Sequence, residues 1–110
     1  MALAYDQLSE TFYALSDPTR LKILHRLSTE KEASVTELSK PFKMSMPAIT
    51  KHLKVLENAG LITKERHAQQ RFCKIHPEGF KIASQWIEEH QKIWNDRFDR
   101  LEAYIERISS

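Results

Sequence analysis

The stretch from Val35 to Leu61, VTELSKPFKMSMPAITKHLKVLENAGL, constrains the fold most, because it reads as two short helices joined by a tight turn. Ser34 stands three residues before Glu37, the spacing of a capping box, so a helix is expected to begin at Val35. Val35, Leu38 and Phe42 then form one apolar stripe, which Lys43, Met44 and Ser45 interrupt. Ser45 suits an N-cap, and Pro47 suits a first turn, where its missing N–H costs little. Ile49, Leu53 and Leu56 follow at steps of four and three as an inward face, and Gly60 supplies the stop. The face left open carries Pro47, Lys51 and Lys54, with Thr50 and His52 on its flanks and Met46 projecting from the first turn. A helix with that outer face suits the major groove, which admits one helix and offers base edges to its amino-terminal side chains. Ser45, Met46, Pro47, Thr50, Lys51, His52 and Lys54 are therefore the expected DNA contacts of this segment.

Charge is placed where such a reading needs it. The chain as a whole is nearly balanced, with 17 basic and 15 acidic residues. Between Lys40 and Lys74, however, Lys40, Lys43, Lys51, Lys54, Lys64, Arg66, Arg71 and Lys74 face only Glu57 and Glu65, a local net of +6. A basic centre between acidic ends is the footprint of a surface that meets phosphate.

The flanking segments supply a scaffold. Tyr5, Leu8, Phe12 and Leu15 step by three and four as one side of an amphipathic helix, and Asp17-Pro18 reads as N-cap and first residue of the next. Thr29 to Ala33 reads as a polar connector. Leu61 to Thr63 and Phe72 to Ile75 are suited to strands, with the charged stretch from Lys64 to Arg71 between them as the tip of a β-hairpin wing. Arg66, His67, Gln69 and Arg71 are its expected DNA contacts. From Pro77 onward the pattern is helical. Ile87, His90, Trp94, Phe98, Leu101, Ile105 and Ile108 run along one face that a chain of 110 residues cannot cover alone, so a second copy is implied. Tyr5, Leu8 and Phe12 join that expected homodimer seam.

Other function classes find little footing. Neither a glycine-rich phosphate loop nor a nucleophile-base arrangement is present, so no enzyme is expected. The single cysteine, Cys73, excludes an intrachain disulfide and fits a reducing cytoplasm; its role is left open. No apolar run approaches the length of a membrane span. The competing reading is a winged-helix module that binds protein or RNA without operator specificity.

The motifs LSDPTRLKIL, from Leu15 to Leu24, and MPAITKHLKVL, from Met46 to Leu56, followed by ENAGL, resemble the ArsR/SmtB family of winged-helix bacterial repressors over almost the whole chain. The tail from Trp86 to Ile105 is similar to a subgroup without the well-known metal sites. The resemblance implies a mainly α, winged helix-turn-helix domain over 1–110, with dimerisation helices at 1–16 and 77–108, the helix-turn-helix at 34–60 and a two-stranded wing at 61–76. It also implies a homodimer on double-stranded DNA that blocks transcription from an imperfect palindrome. Ser34 and Thr36 stand where arsenic- and cadmium-sensing members carry a Cys-x-Cys pair, and His90 is the only histidine of the last helix, so neither a metal nor a cofactor is expected. A small-molecule effector of unknown identity is left open.

Overall fold

The computed structural model describes residues 2–109, with side-chain surroundings from Tyr5 onward. Helix α1 (Ala2–Ala14) leads into α2 (Pro18–Thr29), which Asp17 caps by accepting the Arg20 N–H at 3.1 Å. A two-residue strand β1 (Ala33–Ser34) runs directly into α3 (Val35–Ser39). The capping box forms there in altered geometry: Ser34 Oγ accepts the Glu37 N–H at 3.1 Å and donates its own proton to Glu37 Oε1 at 3.1 Å. Helix α4 (Met46–Asn58) starts on Ser45, whose Oγ accepts from the Ala48 N–H at 3.3 Å, with Pro47 in the first turn.

The end of α4 is closed by a Schellman motif. Gly60 takes φ +76°, its N–H bonds to Glu57 O at 2.9 Å, and the Leu61 N–H reaches Leu56 O at 3.0 Å. Strands β2 (Ile62–His67) and β3 (Gln70–Ile75) follow as an antiparallel hairpin. A 3-10 turn (Pro77–Phe80) then feeds α5 (Lys81–Ser109).

The wing differs from the sequence expectation in two ways. Its loop is only Ala68-Gln69, so most of the stretch expected as a tip is paired strand, with Arg66 opposite Arg71 and His67 opposite Gln70. Ala68 holds φ +58°, a positive value at the first loop position as in a type II′ turn, in a place where glycine is the easier residue. The sheet also has three strands rather than two, in the order β1-β3-β2, because Ala33 pairs with Cys73 and Ser34 with Phe72. That third strand anchors the base of the wing to the start of the helix-turn-helix.

One apolar core, including Ile23, Leu27, Leu38, Ile49, Leu53, Leu56, Leu61, Ile62 and Cys73, binds α2, α3, α4 and the wing together. Burying each large aliphatic side chain here contributes about 1.5 to 3 kcal/mol before entropy is counted. Helix α5 mostly escapes this core. Ala83 is its one buried residue, and the helix projects so far that the molecule measures 71 × 32 × 23 Å.

Candidate nucleic-acid interface

Three inward residues, Ile49, Leu53 and Leu56, pin α4 so that its opposite side faces solvent. Pro47, Lys51, Lys54 and Asn58 recur there at steps of four, three and four, and all are exposed. Ser45, Met46 and Thr50 are exposed beside them, Met46 and Thr50 on the flank toward the wing. Between that flank and the hairpin lies an open groove of 280 Å³ lined by Met46, Thr50, Lys64, Gln69, Gln70 and Arg71, among others. The reading helix and the wing thus share one surface.

The cations divide into bound and free. Lys64 Nζ lies 3.8 Å from Glu57, and Lys74 Nζ lies 3.8 Å from Glu32 and 3.7 Å from Glu65. Lys51, Lys54, Arg66 and Arg71 form no ion pair among the described residues, and all four are exposed. On the wing, Arg66 stands directly opposite Arg71. Like charges at one cross-strand position oppose pairing, and an anion between them would relieve that repulsion. His67 approaches Glu65 at 3.3 Å and meets the edge of Phe72 at 5.5 Å between centroids.

A family model described as bacterial regulatory protein, arsR family, matches residues 17–64. The chain is 41% identical to an ArsR family transcriptional regulator of known crystal structure, with 82% of this chain and 92% of that one covered and a TM-score of 0.77. The chain belongs to the ArsR family. Its curated relatives include the arsenic resistance transcriptional regulator ArsR1 of Pseudomonas putida, 32% identical over 77 residues that make up 70% of this chain and 57% of that regulator's length. The arsenical resistance operon repressor of Staphylococcus xylosus is 32% identical over 76 residues, 69% of this chain and 72% of that one. ArsR-family proteins are transcriptional regulators with a DNA-binding helix-turn-helix, a class without a reaction to catalyse. The winged helix-turn-helix expected from sequence is the fold observed.

Within this ArsR-family chain, His52 departs from the expected open flank. It turns toward the corner between α1 and α2, where its Nδ1 lies 3.1 Å from Arg20 Nη1 and 3.8 Å from Asp17 Oδ2. A guanidinium cannot accept, so in the Arg20 contact Nδ1 is the acceptor and the neutral ring carries its proton on Nε2. Sequence reading missed Arg20 altogether. It is 6% exposed, donates from Nε to Ala14 O at 2.8 Å and from Nη2 to Tyr13 O at 2.9 Å, and lies 5.1 Å from the centre of the Tyr13 ring. The only sequence signal was a basic residue in the first turn of an apolar helix, where its partners could not be named.

Asp17 completes this corner. Burial pushes its carboxyl pKa up, but the Arg20 N–H, the Arg20 charge and the Thr19 N–H outweigh that and hold it below its ordinary value. Cys73 is fully buried on β3, and desolvation raises its thiol pKa against the opposing pull of Lys64, with Glu57 adding to the rise. That suits a small packing residue and not a reactive thiolate.

The expected dimer seam splits into two groups. Leu8 is already buried within its own protomer, and Phe12 meets Trp86 edge-on at 5.7 Å, so these two close α1 against the start of α5. The start of α5 thus covers part of the α1 stripe within its own chain. Tyr5, Ile87, Trp94, Phe98, Leu101 and Ile105 remain exposed, as do Trp86, Ile93, Tyr104 and Ile108. His90 stacks on Trp86 at 4.0 Å and donates from Nδ1 to Trp86 O at 2.8 Å, an interaction within its own helix. Among the described residues no three His, Cys, Asp or Glu side chains gather as a metal site, and no helix is long and apolar enough to cross a membrane.

Proposed function

We propose that the chain acts as a cytoplasmic homodimer that reads a palindromic operator in double-stranded DNA and represses transcription by occluding it. The observation that carries this reading is the groove between α4 and the wing, lined by Met46, Thr50 and Arg71, with Lys51, Lys54 and Arg66 exposed on the same two elements and all four cations free of ion pairs among the described residues. Ser45, Met46, Pro47 and Thr50 meet base edges from the amino-terminal part of the helix, and Lys51 and Lys54 flank them. Arg66, His67, Gln69 and Arg71 reach the adjacent backbone. The thioether of Met46 favours a thymine methyl over a hydrogen-bonding edge. Repression agrees with the Staphylococcus xylosus relative, an arsenical resistance operon repressor.

Bare apolar surface supports dimerisation. Trp94 is 55% exposed, Phe98 61% and Leu101 54% in the protomer, a continuous apolar face far larger than scattered surface leucines. A two-fold partner covering it would set two recognition helices about 34 Å apart, one turn of duplex. The domain is one unit over 1–110, with the second half of α5 as its dimer arm.

We also propose that this chain does not respond to arsenic or cadmium, although its relatives include arsenic-resistance regulators. Ser34 is occupied as the cap of α3, neither Ser34 nor Thr36 offers a thiolate, and His90 is the only histidine of its helix. Any small-molecule effector is of unknown identity.

Protection mapping of the DNA upstream of the protein's own gene tests the reading. The expected result is one footprint of two half-sites, lost when Leu101 and Ile105 are replaced by charged residues. Sequence-independent coating of the DNA, or preferred binding to single-stranded RNA, would favour the rival module without operator specificity.

A further inference from the structure

Arg20 is a buried cation on α2 that lines an open pocket with Lys51, His52 and Lys54 of α4. Its guanidinium bridges two other helices. Nε and Nη2 hold the last two carbonyls of α1, Tyr13 and Ala14, and Nη1 holds His52 of α4. The carbonyl end of a helix is a natural seat for a cation, and a planar fork can serve two directions at once where an ammonium serves one. Asp17 fixes the base of the same turn by capping α2. The result is a polar clamp joining α1, which packs against the start of α5, to α4, which carries the reading face.

We propose that Arg20 and His52 set the angle of the recognition helix against α1 and so determine which half-site spacing the dimer accepts, with His52 a positioning residue and not a base reader. This rests on the dimeric operator reading given above. In a two-fold dimer, a small rotation of α4 about this corner moves both reading faces in opposite senses, so spacing responds while the chemistry offered to each base does not. Base preference belongs to residues such as Met46 and Thr50, which lie on the opposite flank of α4 from His52.

The chemistry of the contact gives a discriminating set of variants. Asparagine places an acceptor oxygen near the position of Nδ1, so His52→Asn preserves the link to Arg20. Glutamine reaches toward the position of Nε2 and mimics a base-reading imidazole, and His52→Leu offers neither. Binding is measured on paired half-sites at native spacing and at one base pair more or less, and on native-spaced sites with single base changes. Thermal melts identify folded variants. His52 is only partly buried and its substitutions keep the test available should Arg20→Lys fail to fold.

The expected result is that His52→Leu and His52→Gln lose the preference for native spacing by about five- to tenfold while relative affinities among base variants hold. His52→Asn should retain that preference. A changed preference at one base position, kept by His52→Gln and lost by His52→Asn, would overturn the proposal. So would unaltered spacing preference in all three. If the unsubstituted protein itself shows no preference for paired half-sites, the dimeric operator reading falls first and this inference with it.

Discussion

Gly79, in the turn before α5, packs directly against the backbone of Gly60 at the end of α4. A methyl group on Gly79 would overlap the Gly60 carbonyl oxygen and come within 2.6 Å of its carbon. These are the only two glycines in the chain, and they meet. Gly60 is needed for its positive φ, and Gly79 for the close approach that lets α5 depart beside the Schellman turn.

Gly79→Ala should therefore destabilise the protein by about 2 to 3 kcal/mol, since backbone and not a flexible side chain must yield. Gly60→Ala meets open space and suffers only the left-handed backbone strain, so it should cost about 1 kcal/mol. Denaturant melts of the two variants check the order; Gly60→Ala as the more damaging change would contradict it.

The cross-strand pair Arg66 and Arg71 should show function opposing stability. Replacing Arg66 with threonine removes a repulsion worth about 0.2 to 1 kcal/mol and keeps a strand-forming residue, so the free protein should melt slightly higher. The same change should weaken binding to all DNA sequences alike and reduce the salt slope of the dimer by about 2, roughly 1 for each protomer. A variant that changes operator preference instead would place base reading on the wing.

Acid stability should depend on Asp17. Its folded pKa is lowered, so its stabilising contribution is fully present above the ordinary carboxyl value and is lost as pH falls through the lowered one. Asp17→Asn should flatten that acid limb, and Asp17→Ala should remove about 1 kcal/mol of capping at neutral pH. Urea midpoints from neutral pH downward measure both; an identical acid limb in Asp17→Asn would exclude this group as a cause.

Zinc, cadmium, nickel and arsenite should leave operator affinity unchanged relative to a chelated control. Release needs an inducer that binds the DNA-free state more tightly, and tight differential binding needs a defined ligand set. A stoichiometric, reversible loss of affinity with one of these ions, abolished by His90→Ala, would instead reveal a metal site.

Much of this architecture is written locally. Asp17-Pro18, Ser34 with Glu37, Ser45 with Pro47, and Gly60 each mark a helix boundary through a contact with a near neighbour in sequence, and each stands where the spacing predicts. The misses are contacts between distant segments. Ala33 and Ser34 are too short a run to show strand periodicity, and their pairing depends on β3, about forty residues away. The polar residues from Lys64 to His67 read as loop because much of that hairpin is solvated. Leu8 and Tyr5 share one helical stripe, and only the packing of α5 decides which is covered. The candidate site divides the same way: the outer face of α4 follows from its period, whereas the turn of His52 toward Arg20 depends on a residue 32 positions earlier.

The salt dependence of operator binding by the intact dimer tests the central claim most directly. If each dimer neutralises about six to ten phosphates through α4 and the wing, affinity should fall about 10³- to 10⁵-fold between about 50 and 200 mM salt. A log–log slope near zero, with binding retained at high salt, would contradict a DNA-reading surface built on Lys51, Lys54, Arg66 and Arg71.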